Sequence, residues 1–66
     1  MLTYAQVTAG MVREGLVIEF MNLHKEVFRV WQAGPVRVQI QRQSTQKTFQ
    51  YSSLKNAILY ANFCNG

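Results

Sequence analysis

The chain has 66 residues, of which 48% are hydrophobic and 12% aromatic; this is the length of one small domain and too apolar for disorder. One cysteine, Cys64, excludes an intrachain disulfide, and no apolar run approaches the ~20 residues of a membrane span. Seven Lys and Arg oppose three Glu and no Asp, a net charge of +4, which favours polyanionic partners through long-range attraction and counterion release and also serves solubility.

The N-terminal segment carries a helix start signal. Thr3 is placed to cap, Gln6 follows three residues later as a capping box requires, and Leu2 and Val7 are spaced as a hydrophobic staple. Tyr4, Val7, Met11 and Val12 recur at helical spacing and make one apolar stripe. Gly10 inside this helix costs roughly 1 kcal/mol relative to Ala, and Gly15 is placed to end it in a left-handed conformation.

Residues 16–42 read as three short amphipathic strands. Strand one covers residues 16–22, strand two residues 26–32 and strand three residues 36–42, joined by the short connections Leu23, His24, Lys25 and Ala33, Gly34, Pro35. Connections this short predict antiparallel neighbours. Side chains alternate faces along a strand, so Ile18, Phe20, Phe28, Val30, Val36, Val38 and Ile40 are expected on a dry inner side. Glu19, Arg29, Trp31, Arg37, Gln39 and Gln41 are expected outside, with Met21 and Val27 on the same parity.

Residues 43–48 are polar and read as a loop, and Phe49 and Tyr51 alternating with Gln50 suggest a brief extended piece. Ser52 or Ser53 is placed to cap a last helix whose buried stripe is Leu54, Ala57, Ile58 and Ala61, with Tyr60 and Phe63 on its flanks and a stop at Asn65 and Gly66. The expected architecture is therefore α+β: an α-β-β-β-α two-layer sandwich, a three-stranded antiparallel sheet with both helices on one face.

On the outer sheet face, Arg29 and Arg37 supply charge and planar donors, Gln39 and Gln41 paired donors and acceptors, and Trp31 a flat surface. Such a set suits phosphate contact, base-edge hydrogen bonding and base stacking. Lys25, Arg42 and Lys47 in adjacent turns extend the positive track. An ordinary solvated sheet face accounts for each of these residues taken singly, with Trp31 and the arginines paired across strands. His24 is the lone histidine, a residue type suited to general acid or base work, but no adjacent carboxylate orients it. One His, one Cys and three Glu supply no usual metal-ligand set, and nothing basic near Cys64 would activate its thiol. No metal, no cofactor and no catalysis are expected.

The order of elements, with His24 after the first strand and residues 53–58 opening the last helix, resembles double-stranded-RNA-binding-like folds and, more narrowly, the HicA family of small toxin ribonucleases. That resemblance implies an α-β-β-β-α fold and a ribonuclease with His24 as general acid or base. The glycine and serine that the family carries before its histidine are replaced by Asn22 and Leu23. The residues themselves favour a small basic nucleic-acid-binding domain, non-enzymatic and cytoplasmic. It would act through Arg29, Trp31, Arg37, Gln39 and Gln41, flanked by Lys25, Arg42 and Lys47. The alternative from another class is a protein-binding inhibitor or adaptor of a phage or mobile element. In that case Trp31 would be a hot spot and the chain a homodimer.

Overall fold

The computed structural model describes Met1–Asn65; Gly66, half of the expected C-terminal stop, lies outside the described residues. Among the described residues five strands are present: β1 (Leu2–Thr3), β2 (Ile18–Met21), β3 (Val27–Gly34), β4 (Arg37–Arg42) and β5 (Thr48–Tyr51). They form one mixed sheet in sequence order, antiparallel from β2 to β5, with β1 parallel to β2. One α-helix, α1 (Leu54–Phe63), crosses the inner face. This overturns the expected three-stranded sandwich with two helices. The three expected strands pair antiparallel as their short turns require, but the sheet continues beyond them on both sides.

The N-terminal helix is absent for a local reason. Residues 3–14 contain Thr3, Val7, Thr8 and Val12, all β-branched, and Gly10. Such a segment is too short and too poor in helix formers to stand on propensity. It forms two 3-10 turns instead, Tyr4–Gln6 and Ala9–Met11, separated by extended backbone at Val7 and Thr8. The capping interaction survives in part, because the Thr3 N–H donates to Gln6 Oε1 at 2.9 Å. Leu2 and Thr3 add to the edge of β2 opposite Phe20 and Met21. Extended geometry still turns Val7 and Val12 into the core, with Leu2, Tyr4 and Met11 packed beside them. The apolar stripe was thus a record of burial, and its helical spacing was incidental.

The β2–β3–β4 meander buries the residues its alternation assigns. Phe20, Phe28, Val30 and Ile40 are fully buried, with Ile18 and Val38 nearly so. Val36 is the exception at 70% exposed. The chain reverses at Pro35 and Val36, Gly34 pairs with Arg37, and a register shift lies between Gln32 and Gly34. Val36 is therefore a turn residue, outside the alternation of the strand.

Phe49 and Tyr51 belong to a true strand that pairs with Ile40 and Val38. Helix α1 starts on a Ser53 cap, whose Oγ accepts from the Asn56 N–H at 3.3 Å, and buries Ala57 and Ala61 completely. Small residues there let the helix approach the sheet closely. Tyr60 fills its flank, 5.0 Å from the Phe49 ring centre, 5.7 Å from Tyr51 and edge-on to Phe28 at 6.1 Å. Burial pushes the Tyr60 phenol up to about 12.

The helix is tied to the β2–β3 turn by Asn22, which is buried. Its Nδ2 donates to Ala61 O at 2.6 Å and Cys64 O at 3.1 Å, and its Oδ1 accepts from the His24 and Glu26 N–H groups at 2.9 and 2.7 Å. Asn62 reciprocates, its Oδ1 accepting from the Leu23 N–H at 2.9 Å. One side chain thereby adds to the Cys64 N–H that Ala61 O already accepts at 3.3 Å, engages the Cys64 carbonyl beyond the helix end, and closes a turn whose Lys25 has positive φ.

Candidate functional site

The sheet has two unlike faces. With the inner face covered by α1 and the N-terminal segment, the outer face of β2–β5 is left to the polar set. Strand register arranges it in two rows. Glu19, Arg29, Gln41 and Thr48 lie side by side across β2 to β5, and Trp31, Gln39 and Gln50 across β3 to β5. Rows of this kind follow from period-two alternation and pairing alone.

Two contacts fix these side chains. The Trp31 indole N–H donates to Gln39 Oε1 at 3.0 Å, which holds the half-buried ring in one orientation. Arg29 Nε donates to Glu19 Oε2 at 3.1 Å, with both side chains nearly half exposed. Exposed pairs of this kind are weak and screened by salt, and this one engages Nε while the Nη groups remain for a ligand.

Between the rows lies an open hollow of about 490 Å³ lined by Gly15, Leu16, Val17, Arg29, Trp31 and Gln41. Its apolar wall is the segment leading into β2. The Leu16 N–H donates to Arg13 O at 3.3 Å, closing a tight turn in which Gly15 has φ of 81°. A left-handed residue here favours glycine. The turn leaves Leu16 and Val17 about half exposed beside the indole. Sequence reasoning missed this wall, although Val17 shares the odd parity of Glu19, Arg29 and Trp31.

The other expected contact residues are distributed around the sheet. Arg37 is exposed at the β3–β4 hairpin, where its stem lies across Gly34; a Cβ built on that glycine would sit 3.4 Å from Arg37 Cδ. Lys25, Arg42 and Lys47 mark the opposite end, where β3 begins and β4 gives way to β5. Arg42 has inner parity, opposite Phe28, and does not join the outer face. Its Nε donates to Glu26 Oε1 and its Nη2 to Glu26 Oε2 at 3.1 Å, while Ser44 Oγ donates to Glu26 Oε1 at 2.7 Å. Hydrogen bonding from Arg42, with help from Ser44, holds the Glu26 carboxyl below the usual carboxylate range against the opposing effect of burial. His24 is exposed in the β2–β3 turn, and its near carboxylate, Glu26, is engaged by Arg42 and Ser44.

The hollow therefore offers an immobilised aromatic plane, an apolar wall, a guanidinium and an amide. Among the described residues no group of three His, Cys, Asp or Glu side chains is placed to hold a metal, and no helix is long and apolar enough to cross a membrane. No protein-family model, curated protein or solved structure matches the chain.

Proposed function

We propose that this chain is a small single-stranded nucleic-acid-binding domain that receives an unstacked base in the hollow over Trp31. The observation that carries this reading is the hollow itself. It sets a fixed indole beside Arg29 and Gln41 on the open face of a chain with net charge +4. Base–aromatic stacking contributes about 1–3 kcal/mol per base and tolerates any sequence. Arg29 and Arg37 supply phosphate contacts, and Gln39 and Gln41 add hydrogen bonds to base edges. A hollow open on one side suits a splayed base better than the stacked interior of a duplex.

Trp31 is the only tryptophan, so its emission reports directly on the site. Titration with single-stranded and duplex oligonucleotides at two salt concentrations should quench that emission, with micromolar or tighter affinity for the single strand that weakens as salt rises. The Arg29→Ala/Arg37→Ala double variant should lose binding. Absence of quenching at low salt, or affinity unchanged at high salt, would refute the proposal.

A second reading, a protein-binding adaptor, draws on the exposure of Leu16 (48%) and Val17 (57%) beside the indole, since an apolar ledge around Trp and Arg is a common interface centre. Salt-insensitive capture of a protein partner through Trp31, with no oligonucleotide binding, would favour it.

A further inference from the structure

The two edges of the sheet are unequal. At one edge β1 contributes only Leu2 and Thr3 before the chain turns away. At the other, β5 runs four residues, with Thr48, Phe49 and Gln50 all exposed. An open edge presents unpaired N–H and C=O groups and is a template for another strand.

Which groups are open follows from the pairing. The Arg42 N–H donates to Lys47 O at 3.0 Å, and the Gln43 N–H, on the other side of the strand, donates to Val27 O at 3.1 Å. Antiparallel pairs alternate between hydrogen-bonded and non-hydrogen-bonded positions. Phe49, opposite Ile40, and Tyr51, opposite Val38, therefore direct their backbone groups to β4. Thr48 and Gln50 direct theirs away from the sheet.

From this edge we infer that β5 pairs with β5 of a second copy of the chain, antiparallel about a two-fold axis, joining two five-stranded sheets into one. The register that keeps inner face with inner face and uses all the open groups within β5 sets Phe49 against its own copy. Thr48 then exchanges both hydrogen bonds with Gln50 of the second copy, and Gln50 with its Thr48. The occupant is a second copy because the segment is complementary to itself and carries no charge. Two chains of net charge +4 meet here without a like-charged pair, because Lys47 falls opposite Tyr51 of the second copy. Phe49, left 41% exposed in the single chain, gains an aromatic partner across the axis. The arrangement is isologous and closes, because the remaining edges are the two-residue β1 strands. It leaves the outer face open, so it stands apart from the nucleic-acid reading.

Light scattering across a concentration series tests the inference. The wild type should pass from 7.6 kDa to twice that mass. Gln50→Pro removes an outward N–H without touching a β4–β5 bond, and proline is tolerated at edges. That variant should keep the wild-type circular dichroism and associate at least tenfold more weakly. A second measurement fixes the register and does not depend on the proline variant folding. In a Cys64→Ser background, Phe49→Cys should form a covalent dimer on mild oxidation, since directly opposed Cβ atoms in such a pair approach to about 4.5–5.5 Å. Thr48→Cys, opposite Gln50, should not. A wild type that stays monomeric to millimolar concentration, a folded Gln50→Pro that dimerises as strongly as wild type, or cross-linking through Thr48→Cys in place of Phe49→Cys would overturn it.

Discussion

Replacing Asn22 with alanine deletes four hydrogen bonds at once: two to carbonyls at the end of α1 and two from turn N–H groups. A neutral hydrogen bond contributes about 0.5–1.5 kcal/mol net, and a buried group left without a partner costs about 1–3 kcal/mol. Ala61 is fully buried, so its carbonyl keeps only the long bond from the Cys64 N–H and gains no water, whereas the exposed His24 N–H recovers a water. The expected loss is therefore about 3 kcal/mol, near the lower half of the four-bond sum. A chain of this length is stable by only about 3–10 kcal/mol, so the melting temperature should fall by roughly 12–24 °C. Urea and thermal unfolding followed by circular dichroism measure this, with an unchanged m-value showing that the same surface unfolds. Asn22→Asp is the sharper variant. It keeps the acceptor for His24 and Glu26 but sets a carboxylate oxygen against the Ala61 and Cys64 carbonyls. It should be at least as damaging as alanine at pH 7 and recover in part when protonated. A loss below about 1 kcal/mol for Asn22→Ala would refute the view that this side chain clamps turn to helix.

Three further outcomes are expected. Glu26 has a lowered pKa in the folded chain, so the unfolded chain binds the proton more tightly. Stability should be fully present above the ordinary value of 4.5 and fall as pH drops through the folded value. Arg42→Gln should flatten that acid limb in pH-dependent urea titrations; an unchanged limb would place the acid sensitivity elsewhere. Tyr60 has the opposite sign: the folded chain holds its proton to about 12 against an ordinary 10.0. Stability should therefore decline from pH 10 to about 12, and Tyr60→Phe should reduce this decline, leaving the part due to Tyr51, whose phenol burial also raises. Glu19→Gln takes one negative charge off the outer face and releases Arg29, so oligonucleotide affinity at low salt should rise a few-fold; weaker binding would show that the ion pair is needed to orient the guanidinium.

Much of this architecture was legible in local chemistry. Alternation assigned Phe20, Phe28, Val30 and Ile40 to the core, Ser52 or Ser53 marked the start of α1, and Gly15 has the expected left-handed φ, although in a turn and not at a helix end. The outer set Arg29, Trp31, Gln39 and Gln41 followed from the same parity. The missing first helix has a plain cause, which is that a pattern of burial does not carry its own backbone geometry. Val7 and Val12 face the core whether the chain between them is helical or extended, so their spacing was read as a helix. The competition between that helix and pairing along the edge of β2 is decided by a neighbouring strand, which no local signal reports.

The site shows the same division. Alternation of polar and apolar residues, set by the two-residue repeat of a strand, determined which side chains share the outer face. Tertiary structure decided which of them act together, because only strand register brings Glu19 to Arg29 and Gln39 to Trp31. It also paired Arg42, on the inner parity, with Glu26, and set the Gly15–Val17 segment beside the indole to make a hollow. Asn22 is the clearest case. In the sequence it is a polar residue near a turn, and its buried role exists only because the end of α1, 39 residues later, arrives with its Ala61 carbonyl within reach of the Asn22 amide.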